Sequence, residues 1–126
     1  MRYYTLVVLA LLSVSAFGET VCLDGTSGFN GHVNVTEICL NENSTASIKI
    51  YYFNNLLPYG PTTCSGEAKY SKLAKGFKVT SLEGKCENGN IMAPQVIECL
   101  PVVNGLYQCN VLEYNAKFYV SKSRTI

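Results

Sequence analysis

The chain has 126 residues, six cysteines, no tryptophan, one histidine, and ten basic against nine acidic side chains. One domain of roughly 100–200 residues is the natural reading of that length. The near-zero charge argues against a nucleic-acid binder, which carries a basic excess or stripe. A lone histidine, His32, leaves no room for multi-histidine metal sites and little for Ser-His-Asp chemistry.

The chain opens with Met1 and Arg2, an apolar run over Leu6–Val14, and small residues before Glu19. That order is the signature of a secretory signal peptide over 1–18, too short for a membrane span. The expected mature chain, 19–126, is a single secreted β domain carrying nine bases and nine acids. No later stretch approaches the roughly 18 apolar residues of a transmembrane helix. The last residues, Tyr119–Ile126, read as polar and basic, unlike a lipid-anchor signal.

From Gly31 to Leu40 the chain alternates, with Val33, Val35 and Cys39 on one side and Asn34, Thr36 and Ile38 on the other. Ala46–Phe53, rich in Ile and Tyr, predicts a second strand. Between them, Asn41–Thr45 reads as a polar loop. Two glycosylation sequons fall here, at Asn34 and Asn43, and the loop position favours Asn43.

Residues 54–63 hold Leu56, Leu57, Pro58, Tyr59 and Pro61. A proline-stiffened apolar loop loses little entropy on binding, so Leu56, Leu57 and Tyr59, with Tyr51 on the preceding strand, are the candidate partner-contact residues. The competing reading folds the loop over the core. Gly66–Lys75, with lysines spaced mostly by three, suits a short helix or turn, or else a lysine-lined strand; the spacing favours the former.

Phe77–Leu82, Gln95–Val103, Leu106–Tyr114 and Lys117–Lys122 complete the expected strands. Asn104-Gly105 between apolar runs predicts a two-residue hairpin turn. Ideal pairing from that turn sets Cys99 against Asn110 and Cys109 against Leu100. The two cysteines then point to opposite faces and bond elsewhere, unless a bulge changes the register. Pro101 cannot donate to a ladder and marks an edge or bulge.

All six cysteines, Cys22, Cys39, Cys64, Cys86, Cys99 and Cys109, lie beyond the signal. Their wide spacing lacks the close pairs of zinc or redox motifs, so three disulfides are expected, in any of fifteen connectivities. The expected fold is all-β: a small disulfide-bonded antiparallel sandwich or barrel of six to eight strands with at most one short helix. Charge divides unevenly. Residues 19–67 carry five acids and one base, whereas 68–126 carry eight bases and four acids. Either folding intermixes the halves, or a basic face forms around Lys69, Lys72, Lys75, Lys78 and Lys85, suited to an acidic glycan or an anionic membrane.

No motif assigns catalytic, metal or cofactor residues. The functional expectation is a secreted non-catalytic binding protein that meets an extracellular protein or glycan at or near the cell surface. The alternatives are an inhibitor or toxin-like effector that inserts the 54–63 loop, and a small extracellular hydrolase built on two carboxylates.

Overall fold

A computed structural model describes residues 20–29, 32–53, 61–113 and 115–125. The expected signal segment and Leu56, Leu57 and Tyr59 lie outside these residues. The described residues form ten strands and no helix: β1 (Thr20–Phe29), β2 (His32–Asn41), β3 (Thr45–Tyr52), β4 (Thr62–Lys72), β5 (Phe77–Ser81), β6 (Gly84–Cys86), β7 (Ile91–Met92), β8 (Val96–Val103), β9 (Leu106–Val111) and β10 (Ala116–Thr125).

Every pairing is antiparallel. The sheet runs β3-β2-β1-β10-β9-β8-β5-β4, and β3 pairs with β4 to close it. The sandwich-or-barrel choice therefore resolves to an eight-stranded barrel. Chain order is spatial order around its wall, which makes it an up-and-down barrel with the β6–β7 hairpin branching from β4. The closing seam joins β1 to β10, with Val21 opposite Thr125 and Asp24 opposite Ser121.

Eight strands leave an interior just wide enough for side chains to fill or for one small ligand. Here Ile38, Ile48, Val79, Ile97 and Val120 occupy the centre, each at most 1% exposed. Burial alternates along the strands, as in β3, where Ala46, Ile48 and Ile50 point inward and Ser47 and Lys49 outward. On β2 the inward set is Thr36 and Ile38, so the other side, carrying Val35 and Cys39, forms the outer wall. Gly25 lies where β10 crosses close to β1. A Cβ there would sit 1.7 Å from the Tyr119 carbonyl oxygen, so the seam closes only over glycine.

The three disulfides are Cys22–Cys39, Cys64–Cys86 and Cys99–Cys109. Each joins residues directly opposite one another on neighbouring strands. Each closes a short loop, contributing about 3 kcal/mol through the unfolded chain. Cys64, Cys99 and Cys109 belong to the inner core, whereas Cys22–Cys39 lies on the outer wall of β1–β2.

The Cys99–Cys109 bridge corrects the ideal hairpin register. Val103 does pair with Leu106 across the Asn104-Gly105 turn, but the ladder shifts between Pro101 and Val103. That bulge, at the residue that cannot donate, sets Cys99 opposite Cys109 on the inner face. The helix or turn expected over Gly66–Lys75 is also corrected, because β4 extends through Lys72. Its alternation is Cys64, Ala68 and Tyr70 inward against Ser65, Glu67, Lys69 and Ser71 outward. The small inward residues make room: a Cβ on Gly66 would lie 2.8 Å from the Met92 methyl of β7.

Candidate functional site

In an up-and-down barrel the connections gather at two ends. The β3–β4 connection, the β5–β8 segment with its β6–β7 hairpin, and the β9–β10 turn share one end, termed the loop end. The β2–β3 turn, the β4–β5 loop, the β8–β9 hairpin and the end of β10 share the other, the hairpin end.

The loop end carries Phe53, Leu82, Ile91 and Leu112, all largely exposed. They come from all three connections, and Ile91 sits on β7, the last strand of the sheet order. Backbone bonds anchor two of them, Leu82 N–H to the Glu67 carbonyl and Leu112 N–H to the Val96 carbonyl. Glu113 braces the same turn, its carboxylate accepting from Val96 N–H at 3.1 and 3.2 Å. Ser81 Oγ likewise accepts from Gln95 N–H at 2.8 Å. Leu82 and Leu112 are thus held on fixed backbone, Leu82 beside Glu67 midway along β4, and single exposed apolar residues of this kind are ordinary on a protein surface.

The residues singled out in the sequence divide here. Tyr51 is half-buried on the outer wall between Val35 and Thr63, one residue from the loop end. Tyr52 turns inward between Asn34 and Thr62 and packs against the core. Phe53, Leu82 and Leu112 were missed because they fell at or near the ends of the expected strands Ala46–Phe53, Phe77–Leu82 and Leu106–Tyr114, and Ile91, on the two-residue β7, lay in no expected element. Their only signal was apolar character beside Gly, Glu or Asn breakers.

The sequons also separate. Asn43 is exposed in the β2–β3 turn, and its Oδ1 accepts from the Thr45 hydroxyl at 2.6 Å. Thr45 in turn accepts from Asn41 Nδ2 at 3.0 Å, and Tyr70 O–H donates to the Asn41 carbonyl at 2.7 Å. Asn34 is half-buried on the inward row of β2, alternating with Val35 and in line with buried Thr36.

The two nearest acidic groups by register are Asp24 and Glu37, opposite one another on the outer wall of β1–β2, with Lys49 next across from Glu37. The Cys22, Glu37 and Cys39 ligand atoms lie within 4.8 Å of one another. Both sulfurs are spent in a disulfide, so this group offers a metal one carboxylate rather than three ligands.

At the hairpin end, Leu100 through Gly105 are all exposed. Pairing of β5 with β8 ends at Phe77–Cys99, so the tip projects beyond its β5 neighbour. Below it, Tyr70, Phe77 and Tyr107 close this end of the interior, Phe77 and Tyr107 meeting edge to face at 5.4 Å. The five lysines of the expected basic face do not stay together. Lys69, Lys72, Lys75 and Lys78 lie on the β4–β5 hairpin, whereas Lys85 is on β6, opposite Ser65 toward the loop end.

No family model matches the chain, and neither a curated protein nor a solved structure matches it. Among the described residues no helix is long and apolar enough to cross a membrane. The three disulfides are consistent with an extracellular protein.

Proposed function

We propose that the protein is a secreted, non-catalytic binding protein whose loop end meets an extracellular protein at or near the cell surface. The observation that carries this reading is the exposure of Phe53, Leu82, Ile91 and Leu112 in or beside the β3–β4, β5–β8 and β9–β10 connections of the barrel. Side chains on anchored backbone contact a partner without much ordering cost. The apolar chemistry favours a protein over a glycan, which is held mainly by hydrogen bonds.

Secretion rests on the 1–18 signal pattern and on disulfides in a chain with no free cysteine. Asn43 is the glycan acceptor in this reading, its turn facing away from the loop end, while Asn34 points along the inward row. The Asp24–Glu37 pair sits half-buried on an outer barrel wall, with Lys49 across from Glu37; catalysis by a carboxylate pair uses an enclosed cleft.

The test is capture from extracellular material with the wild type and a Leu82→Ser/Ile91→Ser variant. Both positions are exposed, so circular dichroism and the disulfide count should remain those of the wild type. A specific protein partner retained by the wild type and lost by the variant supports the reading. Capture unchanged by the variant, or turnover abolished by replacing Asp24 or Glu37, sinks it. Inhibition in a protease panel would favour the inhibitor alternative at this same end.

A further inference from the structure

The chain's charge asymmetry becomes spatial because strand order follows chain order. Asp24 on β1, Glu37 on β2 and Glu42 in the β2–β3 turn stand apart from the lysine-bearing β4 and β5. At the hairpin end the consequence is sharpest. The β8–β9 hairpin stands between the β4–β5 loop on one side and the end of β10 on the other. Diametrically opposite is the β2–β3 turn, which carries Glu42.

Two contacts fix the cations beside the hairpin. Gly76, at φ 87°, lies so close to β8 that a Cβ would sit 2.0 Å from the Cys99 carbonyl oxygen and 3.0 Å from Leu100 Cα. Lys72, the last residue of β4, and Lys75 in the loop that ends at Gly76 are both exposed, and that loop is closed by Leu73 N–H bonding the Gly76 carbonyl. On the other flank Ser121 pairs with Leu106, so exposed Lys122 follows directly beside the hairpin.

Acidic compensation is sparse there. Lys69 faces Thr45 and Thr80, and Lys72 faces Phe77. Glu98 stands opposite Lys78, one pleat below the tip.

Between these cations project Leu100, Val102 and Val103, the two valines 52% and 62% exposed. Tyr119, 48% exposed, continues the same wall beyond Gln108 and accepts from its side-chain amide at 3.1 Å. The hairpin is not a template for another strand: Pro101, on its free edge, lacks a donor and the bulge interrupts the ladder. Its chemistry is an apolar tip between lysines.

We propose that the hairpin end docks on an anionic lipid surface. Val102 and Val103 enter the boundary between headgroups and acyl chains, while Lys72, Lys75 and Lys122 meet lipid phosphates and carboxylates. A soluble polyanion would use the lysines but gains nothing from exposed valines, so the combination selects the bilayer. Each cation near an anionic surface strengthens partition by roughly fivefold, and the effect fades with salt.

This surface shares no residue with the loop end, so it stands or falls separately from the proposed protein contact. The test is sedimentation of the purified secreted chain with vesicles of phosphatidylcholine containing phosphatidylserine, with phosphatidylcholine alone, and with heparin as competitor. Three variants accompany the wild type: Val102→Ser/Val103→Ser, Lys72→Gln/Lys75→Gln, and Leu82→Ser/Ile91→Ser.

The expected result is binding to the anionic vesicles alone, weakened about tenfold or more by either hairpin-end variant and weakened by salt. The loop-end variant should bind like the wild type. Absence of vesicle binding would overturn the proposal. So would heparin binding that ignores the valine change while vesicles are ignored, because the surface would then be a site for soluble polyanions. Equal loss in the loop-end variant would assign the membrane contact to the wrong end.

Discussion

The two ends of this barrel are built from different materials. The hairpin end is closed from within by Tyr70, Phe77 and Tyr107, and its exposed tip is flanked by lysines. The loop end puts Phe53, Leu82, Ile91 and Leu112 outside, among Glu83, Glu87 and Glu113. Three rings thus close the hairpin end and Tyr52 turns inward at the loop end, and each end leaves apolar groups exposed beside a different charge. In a barrel whose chain order is its spatial order, two such surfaces can differ without a second domain.

The largest expected effect tests the closed end. Phe77→Ala removes a ring that is 5% exposed and should cost about 3–5 kcal/mol in urea denaturation. At the loop end, Leu82→Ser/Ile91→Ser should move stability by only about 0.5 kcal/mol. Similar costs at both ends would mean the loop-end side chains are packed, which would remove the contrast.

Next in size is the outer-wall bridge. Replacing Cys22 and Cys39 together by alanine should lower stability by about 3 kcal/mol, and the protein should still fold around its two inner bridges. If intact-mass analysis of the wild type gave six free thiols, the whole scheme of paired neighbours would be wrong.

Tyr70→Phe takes one hydrogen bond from the hairpin end, that to the Asn41 carbonyl, and should cost about 1 kcal/mol. The smallest effect concerns the glycan. Asn43→Gln should abolish the glycan mass while stability changes by about 0.5 kcal/mol or less. Asn34→Gln should leave that mass in place; the opposite outcome would put the inward row of β2 in contact with the glycosylation machinery.

Much of this was legible in the residues. Asn104-Gly105 announced its hairpin because the dipeptide accepts the backbone angles of a tight turn, and Gly105 has φ 81°. The cross-strand numbering failed by one residue, through the bulge that Pro101 had signalled. The spacing of the cysteines excluded metal motifs but could not choose a pairing, since pairing follows register and register depends on such bulges.

β4 was illegible for a different reason. Its inward row includes Gly66, where Met92 of the branching hairpin takes the space of a side chain, and the small Ala68, so the usual alternation of large apolar residues is muted. β1 lacks the signature as well, since Gly25 replaces a side chain where β10 passes over it. The loop-end surface could not be read in advance either. Its members come from three separate connections along the chain, and only closure of the barrel brings those connections to one end.

The most direct test of the account is a crossed binding experiment with both probes and both variants. Wild type, Val102→Ser/Val103→Ser and Leu82→Ser/Ile91→Ser are each measured against anionic vesicles and against the captured extracellular partner. The valine variant should lose the vesicles and keep the protein, and the loop-end variant should do the reverse. If either variant lost both activities, or kept both, the barrel would not carry two separate surfaces.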